Sequence, residues 1–355
     1  MPNPIQHIAV IRLSAMGDVA MIVPVIRAFV EQNPNVKITV VSRPFFKPFF
    51  NGIPNVNFFS VDVKGRHKGF LGLLKLHSDL KQLNIDAVAD LHNVLRSQIL
   101  RTLFALSGKK VVYTDKGRAE KRALTRAQDK IFSPIKTMIE RHVDTFKKLG
   151  FSIDLSSRSF GTKFPQKANL AEDILKITGE KTTQKWIGIA PFAQYDSKVY
   201  PQDLMEKVIE ELASETTNKI FLFGGGNKEI EILNSFSNAK GNVINVAGKL
   251  KLQQELDLIS NLDVMLSMDS GNSHMAAMLG IKVITLWGAT HPFAGFAPFN
   301  QPFENCLVSD REKFPLLPTS VYGNKKVEGY GDAMRTISPE KVVFSIQSQL
   351  AASEN

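Results

Sequence analysis

Several stretches of this sequence place small polar residues and glycine where an apolar run gives way to a helical pattern. Such strand-to-helix turns are where α/β proteins hold anions and present catalytic groups. The first is Arg12-Leu-Ser-Ala-Met-Gly-Asp18. Gly17 permits a tight turn, and Asp18 then stands at the start of the helical pattern beginning near Val19. A carboxylate so placed suits a general base, although Asp also caps helices anywhere, and from this motif alone the cap is the commoner role. The turn lacks the G-x-G-x-x-G spacing of a nicotinamide dinucleotide site. A second turn, Ser267-Met-Asp-Ser-Gly-Asn-Ser-His274, offers the amides of Ser270, Gly271 and Asn272 at a helix start, a cradle suited to a diphosphate beside Asp269. His274 can donate to a phosphate or orient Asp269, or it can be a packed histidine.

Three further turns follow apolar runs of the same half. Lys198, in Pro191-Phe-Ala-Gln-Tyr-Asp-Ser-Lys-Val-Tyr-Pro201, can neutralise a departing diphosphate, or it is a solvated lysine. In Phe223-Gly-Gly-Gly-Asn-Lys-Glu229 the glycines, Gly225 among them, allow close backbone approach. Glu229 there can accept from ribose hydroxyls or simply cap the turn. Trp287-Gly-Ala-Thr-His-Pro292 brings the Thr290 hydroxyl within reach of a sugar or phosphate, and also reads as an ordinary Gly/Pro turn. Four polar turns after strands of one half belong on one edge of a sheet, and that convergence favours function over four separate coincidences.

The elements that must position these turns are short β-rich runs alternating with longer helical patterns. Strands are predicted over residues 8–13, 37–42, 56–61, 86–91 and 110–113, then over 186–190, 219–223, 243–246, 263–267 and 282–287. Each half thus reads as a doubly wound parallel-sheet α/β domain, with ligands expected in a cleft outside the carboxyl ends of the strands. Polar loop signals place the linker over residues 154–167. Ser338-Pro-Glu opens a C-terminal helix.

A chain of 355 residues, 43% of them hydrophobic, can build two cores and is no disordered polymer. The single cysteine, Cys306, excludes an intramolecular disulfide, and no Cys/His set has zinc-ligand spacing, so no metal is expected. No signal peptide or apolar run long enough to span a bilayer is apparent, which points to the cytoplasm. The net charge of +10 is localised: residues 64–148 hold 19 Lys and Arg against 8 Asp and Glu, leaving the remainder near neutral. Such a field attracts nucleic acid, an anionic membrane or a phosphorylated substrate, or belongs to solvated helix faces. Without a recognition helix, zinc-finger spacing or aromatic RNP pattern, nucleic acid is not an expected partner.

Taken together, Ser14-Ala-Met-Gly-Asp18, Lys198 in Asp-Ser-Lys-x-Tyr-Pro, and Asp269-Ser-Gly-Asn-Ser-His274 resemble glycosyltransferase family 9, the lipopolysaccharide heptosyltransferases. The resemblance runs from Ile8 to about Pro292, with the motifs in family order. It implies a GT-B architecture of two Rossmann-like domains facing across a cleft. Residues 1–160 would bind the acceptor and residues 161–355 the nucleotide sugar, with the C-terminal helix free to pack back on the first domain. It further implies Asp18 as base, with Ser14, Met16 and Gly17 around it on the acceptor side. Lys198 and the Asp269, Ser270, Gly271 and His274 turn would hold the donor diphosphate, with Gly225, Glu229 and Thr290 completing the donor site. His92, Asn93 and Arg96, in Asp90-Leu-His-Asn-Val-Leu-Arg-Ser97, and His142 are similar to acceptor-side segments. The implied reaction is inverting, metal-independent and without a cofactor: a heptose moves from ADP-heptose to a phosphorylated, lipid-linked inner core. The enzyme would sit at the anionic inner face of the cytoplasmic membrane. A transferase of another nucleotide sugar and a silent nucleotide-binding member are the alternatives. Two departures from the family are His291, where an aspartate is common, and Tyr200, where a tryptophan is common.

Overall fold

The structure, a computed structural model, describes residues 4–156, 167–237 and 240–352. The chain forms two compact units, one of Met1–Arg118 with Lys136–Lys163 and one of Ala119–Ile135 with Phe164–Asn355.

In the first unit the elements run β1 (His7–Ile11), α1 (Met16–Gln32), β2 (Lys37–Ser42), β3 (Val56–Ser60), α2 (Gly69–Lys81), β4 (Ala87–Asp90), α3 (Leu95–Leu106) and β5 (Lys110–Tyr113). After α4 (Arg118–Thr125) the unit is completed by α5 (Met138–Lys147). All strand pairs are parallel, in the order β3-β2-β1-β4-β5. Strands covered on both faces are predominantly apolar, and β1 and β2 are buried along all but their first residue, with Ile8, Ala9, Val10 and Ile11 fully buried. One face packs Ala9, Ile11, Val41 and Val88 against Leu73, Leu76 and Leu80 of α2 and Leu100 and Phe104 of α3. Beside α1, Phe29 meets Phe146 of α5 with ring centroids 4.8 Å apart. The order reverses between β1 and β4, so the turns leaving those two strands flank the crevice that such sheets use for ligands.

The second unit contains α6 (Glu172–Thr178), β6 (Lys185–Ala190), α7 (Gln202–Ser214), β7 (Asn218–Leu222), α8 (Asn227–Ser237), β8 (Val243–Asn245) and α9 (Leu252–Ile259). It continues through β9 (Val264–Met268), α10 (Gly271–Met278), β10 (Lys282–Trp287), β11 (Cys306–Val308) and α11 (Pro339–Ala351). Its parallel sheet has the order β11-β10-β9-β6-β7-β8, the doubly wound arrangement with its switch point between β6 and β9. All ten predicted strands are present. The sheet also holds an eleventh, β11, whose three residues are too few to show a pattern of their own. The C-terminal helix α11 lays Val342, Val343, Ile346 and Leu350 into the core of this unit, alongside Met205, Val208 and Leu212 of α7.

Residues 119–135 pack with the second unit although they precede the division expected from the sequence near residue 160. Leu124 is fully buried, Phe132 stacks on Phe293 at 4.9 Å, and the Ile135 amide donates to the Phe293 carbonyl. This excursion removes Lys121 and Lys130 from the basic segment of the first half. The Lys121 ammonium lies 4.0 Å over the Phe296 ring, and that of Lys130 donates to the carbonyls of Leu124 and Pro318. Most of the expected linker, residues 157–166, lies outside the described residues. Among the described residues no helix is long and apolar enough to cross a membrane.

Candidate functional site

In the first unit, β1 ends opposite β4 with Ile11 paired to Asp90, which sets Arg12 beside Leu91 just beyond the sheet. Arg12 is 4% exposed, and its guanidinium donates to the carbonyls of Leu91 at 2.7 Å and Ser14 at 2.9 Å. From that anchored position it pairs with Asp18 at 2.5 Å. Asp18 also accepts the Ala15 amide at 3.1 Å, so it does cap α1, and its side chain is still 29% exposed. The cap and an accessible carboxylate therefore coexist in one residue. Ser14 Oγ lies 3.4 Å from His92 Nε2. Burial, with the charges of Arg12 and Lys116, pushes the His92 imidazole down to about 3, so the ring is neutral near pH 7.

Asn93 and Arg96 frame this edge from inside. The Asn93 amide donates to the Thr114 carbonyl and accepts from Arg101 and Gln98, while Arg96 donates to the His67 carbonyl. Asp90, fully buried, accepts the amides of His92 and Asn93 and pairs with Arg101 at 3.0 Å. His142 is fully buried with Nδ1 3.1 Å from Thr114 Oγ1, so the structure does not bring it to the surface with Asp18. Ala15, Met16, Arg43, Phe45, Asp62 and Lys64 help line a cavity of about 480 Å³ beside the start of α1. Arg12 and Lys116 are functional candidates that the sequence motifs do not single out. The signal for them is a cation at the end of an apolar strand and another after β5. Burial, Arg12 and Arg118 lower the Lys116 ammonium, as expected where cations gather without enough acid to balance them.

In the second unit the register does the assembling. Ala190 pairs with Ser267 and Leu286 with Met268, so the turns after β6, β9 and β10 emerge side by side. Asp269, 7% exposed, accepts from the Thr290 hydroxyl at 2.8 Å and pairs with the Lys198 ammonium at 3.0 Å. Ser270 is the N-cap position of α10, with its hydroxyl 3.1 Å from that of Ser267, and Gly271 begins the helix. His274, one turn in, is 6% exposed. Glu229 accepts the Gly225 amide at 2.7 Å, closing the glycine turn after β7. Lys198, Asp269 and Thr290 thus meet directly. Gly225 and Glu229 stand at the end of β7, next to β6 on the same sheet edge.

The lysine is held by parts of the chain with no motif. Ser197 Oγ donates to the Gly323 carbonyl at 2.6 Å, and the Ser197 carbonyl accepts the Ala289 amide at 3.0 Å. A Cβ at Gly288 would stand 2.3 Å from that same carbonyl, too close for any real contact. Gly288→Ala is accordingly expected to displace the Ser197-Lys198 turn and cost about 1–3 kcal/mol of stability, with weaker nucleotide binding. A melting temperature and ADP affinity equal to the parent's would contradict this.

Both departures from the family have structural occupations. Tyr200 is 1% exposed and donates its hydroxyl to the Ile337 carbonyl at 2.6 Å, anchoring the Lys198 turn to the segment before α11. His291 is 4% exposed among Phe132, Phe293 and Phe303, and its Nδ1 accepts the Phe293 amide at 3.1 Å, the bond a capping aspartate would make. Burial and the Arg311 charge push its imidazole from 6.5 down to about 4. The unfolded chain then binds that proton more readily. His291 therefore contributes stability that is complete above about pH 6.5 and is lost as pH falls towards 4. His291→Asn, which retains an acceptor for the Phe293 amide, is expected to flatten the fall of melting temperature over that range. Parallel curves for the two proteins would contradict the assignment.

Comparison with known proteins bears on these two edges. The Haemophilus influenzae lipopolysaccharide core heptosyltransferase OpsX is 28% identical over 83% of this chain and 82% of its own length. The crystal structure of a family 9 glycosyl transferase from Veillonella parvula superposes with a TM-score of 0.75, at 19% identity and over 99% of both chains. The Escherichia coli heptosyltransferase WaaC, solved with ADP, superposes at 0.66, with 18% identity, over 97% of this chain and 100% of that one. These are GT-B folds, and the two doubly wound parallel sheets described above are of that kind. The family description that matches residues 73–320 is glycosyltransferase family 9 (heptosyltransferase), a span running from α2 past the Lys198, Asp269 and Thr290 turns. The enzyme thus belongs to glycosyltransferase family 9.

Proposed function

We propose that the enzyme transfers a heptose from ADP-heptose to a hydroxyl on the phosphorylated inner core of a lipopolysaccharide, with inversion and without a metal. The observation that carries this reading is the meeting of Lys198, Asp269 and Thr290 at the amide-bearing start of α10. That is a cation fixed beside backbone donors, the arrangement a leaving diphosphate needs. The ADP held by the Escherichia coli structural relative supports the choice of nucleotide.

In this reading the second unit takes the nucleotide sugar. Ser270 and Gly271 present amides to the diphosphate, His274 supports that turn, and Glu229 and Gly225 lie towards the nucleoside. The first unit takes the acceptor, with Ser14, Met16, Gly17, His92, Asn93 and Arg96 at its edge and His142 supporting that edge from within. Asp18 removes the proton of the acceptor hydroxyl as its oxygen bonds to the anomeric carbon. The bond from that carbon to the β-phosphate oxygen breaks, and ADP leaves with its charge met by Lys198 and the α10 amides. Arg12 holds the base in one position, and the cations near His92 suit an acceptor bearing phosphates. The basic excess of the first half draws the enzyme to the anionic cytoplasmic face of the membrane that carries such acceptors.

The test is product analysis with ADP-heptose beside UDP and GDP sugars, using a deacylated inner-core acceptor. Release of ADP with a heptose-sized mass gain on the acceptor is expected. Transfer from a different nucleotide sugar would change the donor, and no turnover or binding with any would make the chain a silent member.

A further inference from the structure

The edge of the first unit that carries Asp18 and His92 also carries large apolar side chains left exposed among the described residues. Helices α2 and α3 follow β3 and β4 and run back along the sheet, so both begin at its carboxyl edge. Their starts are adjacent, since Arg96 in the first turn of α3 donates to the His67 carbonyl just ahead of α2. Phe70 and Leu71, in the first turn of α2, are 61% and 72% exposed, and Leu95, which opens α3, is 73% exposed. Phe45, after β2, is 57% exposed and lines the same cavity as Lys64. On α2, Phe70, Leu71 and Leu74 fall within one arc of about 100°, separate from the Leu73, Leu76 and Leu80 face that enters the core.

This tip is held rigidly. Asp62 accepts the amides of Lys64, Gly65 and Arg66, the Arg66 guanidinium makes two bonds to Asp79, and His67 bridges the Asp62 amide and Asp79. Both acids are thereby engaged within the loop. Lys68, just ahead of α2, and Lys75, one turn beyond Leu71 on that helix, are exposed, as is Lys64, which lines the cavity with Phe45. Exposed large apolar side chains on a hydrogen-bonded tip, with long-stemmed lysines beside them in the chain that can reach phosphate, match a bilayer interface with anionic headgroups.

We propose that this tip docks into an anionic bilayer, Phe70 and Leu71 entering the headgroup boundary and the lysines engaging lipid phosphates. The edge bearing Asp18 then faces the membrane plane, where a lipid-linked hydroxyl is delivered. The inference takes its purpose from the lipid-linked acceptor reading above, but its test does not depend on that reading.

The full chain carrying Phe70→Trp is mixed with vesicles of phosphatidylglycerol and phosphatidylethanolamine. Trp186 and Trp287 are fully buried, at 0% and 1% exposure, so a change in emission reports the new residue. A blue shift with these vesicles, weaker with phosphatidylcholine alone, is expected. In parallel, Phe70→Asp/Leu71→Asp should lower vesicle partitioning about tenfold or more while leaving the melting temperature and transfer to a deacylated acceptor unchanged. An unshifted spectrum, or a double variant that sediments with vesicles like the parent, overturns the proposal and leaves the surface to a protein partner. Vesicle binding that depends on Phe70 and Leu71 in a chain without transferase activity would instead overturn the function and keep the docking surface.

Discussion

Asp18→Asn is expected to lower the rate of heptose transfer by about 10²–10⁴-fold while leaving ADP affinity by calorimetry at the parent value. The substitution is nearly isosteric. The side-chain oxygen of the introduced asparagine can still accept the Ala15 amide, so the start of α1 is kept. What goes is the negative charge, and with it both the proton acceptor and the ion pair with Arg12. A merely capping role predicts a small change in melting temperature and no change in rate. Because Arg12 is 4% exposed and also bound to the carbonyls of Leu91 and Ser14, it stays in place when its acid partner is neutralised. Arg12→Lys provides the complementary result: the charge is kept but the forked geometry is lost, so the rate falls while ADP affinity is unchanged. Full turnover in Asp18→Asn would remove Asp18 as the base.

Lys198→Ala is expected to act on two quantities at once. The Lys198 and Asp269 side chains are 12% and 10% exposed, so removing the cation leaves a carboxylate that is largely withdrawn from water. Stability should fall by about 3–5 kcal/mol, the usual cost of orphaning one half of a buried pair. Donor affinity and rate should fall as well, because the leaving diphosphate loses its fixed cation. Lys198→Ala/Asp269→Asn separates the two effects. With the carboxylate neutralised, and Thr290 still able to donate to the new amide oxygen, much of the stability should return. Donor affinity should not return. Recovery of both would make the pair a structural staple and remove Lys198 from the donor site.

The strands and the turns that follow them were legible in the residues themselves. Apolar β-branched runs such as Lys37–Ser42 and Lys282–Trp287 are strands because parallel pairing buries both of their faces, and a local pattern suffices to show it. Small polar residues after them, as in Asp269-Ser-Gly-Asn, likewise announce a turn by local chemistry. The sequence placed these turns on one sheet edge but could not show which of their side chains touch. Lys198, Asp269 and Thr290 are far apart in the chain and come together through the pairing of β6 with β9 and β9 with β10, a register set by packing across the whole sheet. The partner of Asp18 was equally hidden, because Arg12 reaches it only when Ile11 pairs with Asp90 and Leu91 offers a carbonyl to anchor the guanidinium. A histidine within a motif gives no sign of whether it faces a ligand or a threonine, and His142 faces Thr114. Residues 119–135 also cross to the second unit for the sake of contacts at Phe293 and Phe296, which nothing nearby in the chain foretells. Residue type and periodicity determined the parts and their local chemistry; long-range strand pairing and burial decided which of those parts touch, since those energies exist only once distant segments have been brought together.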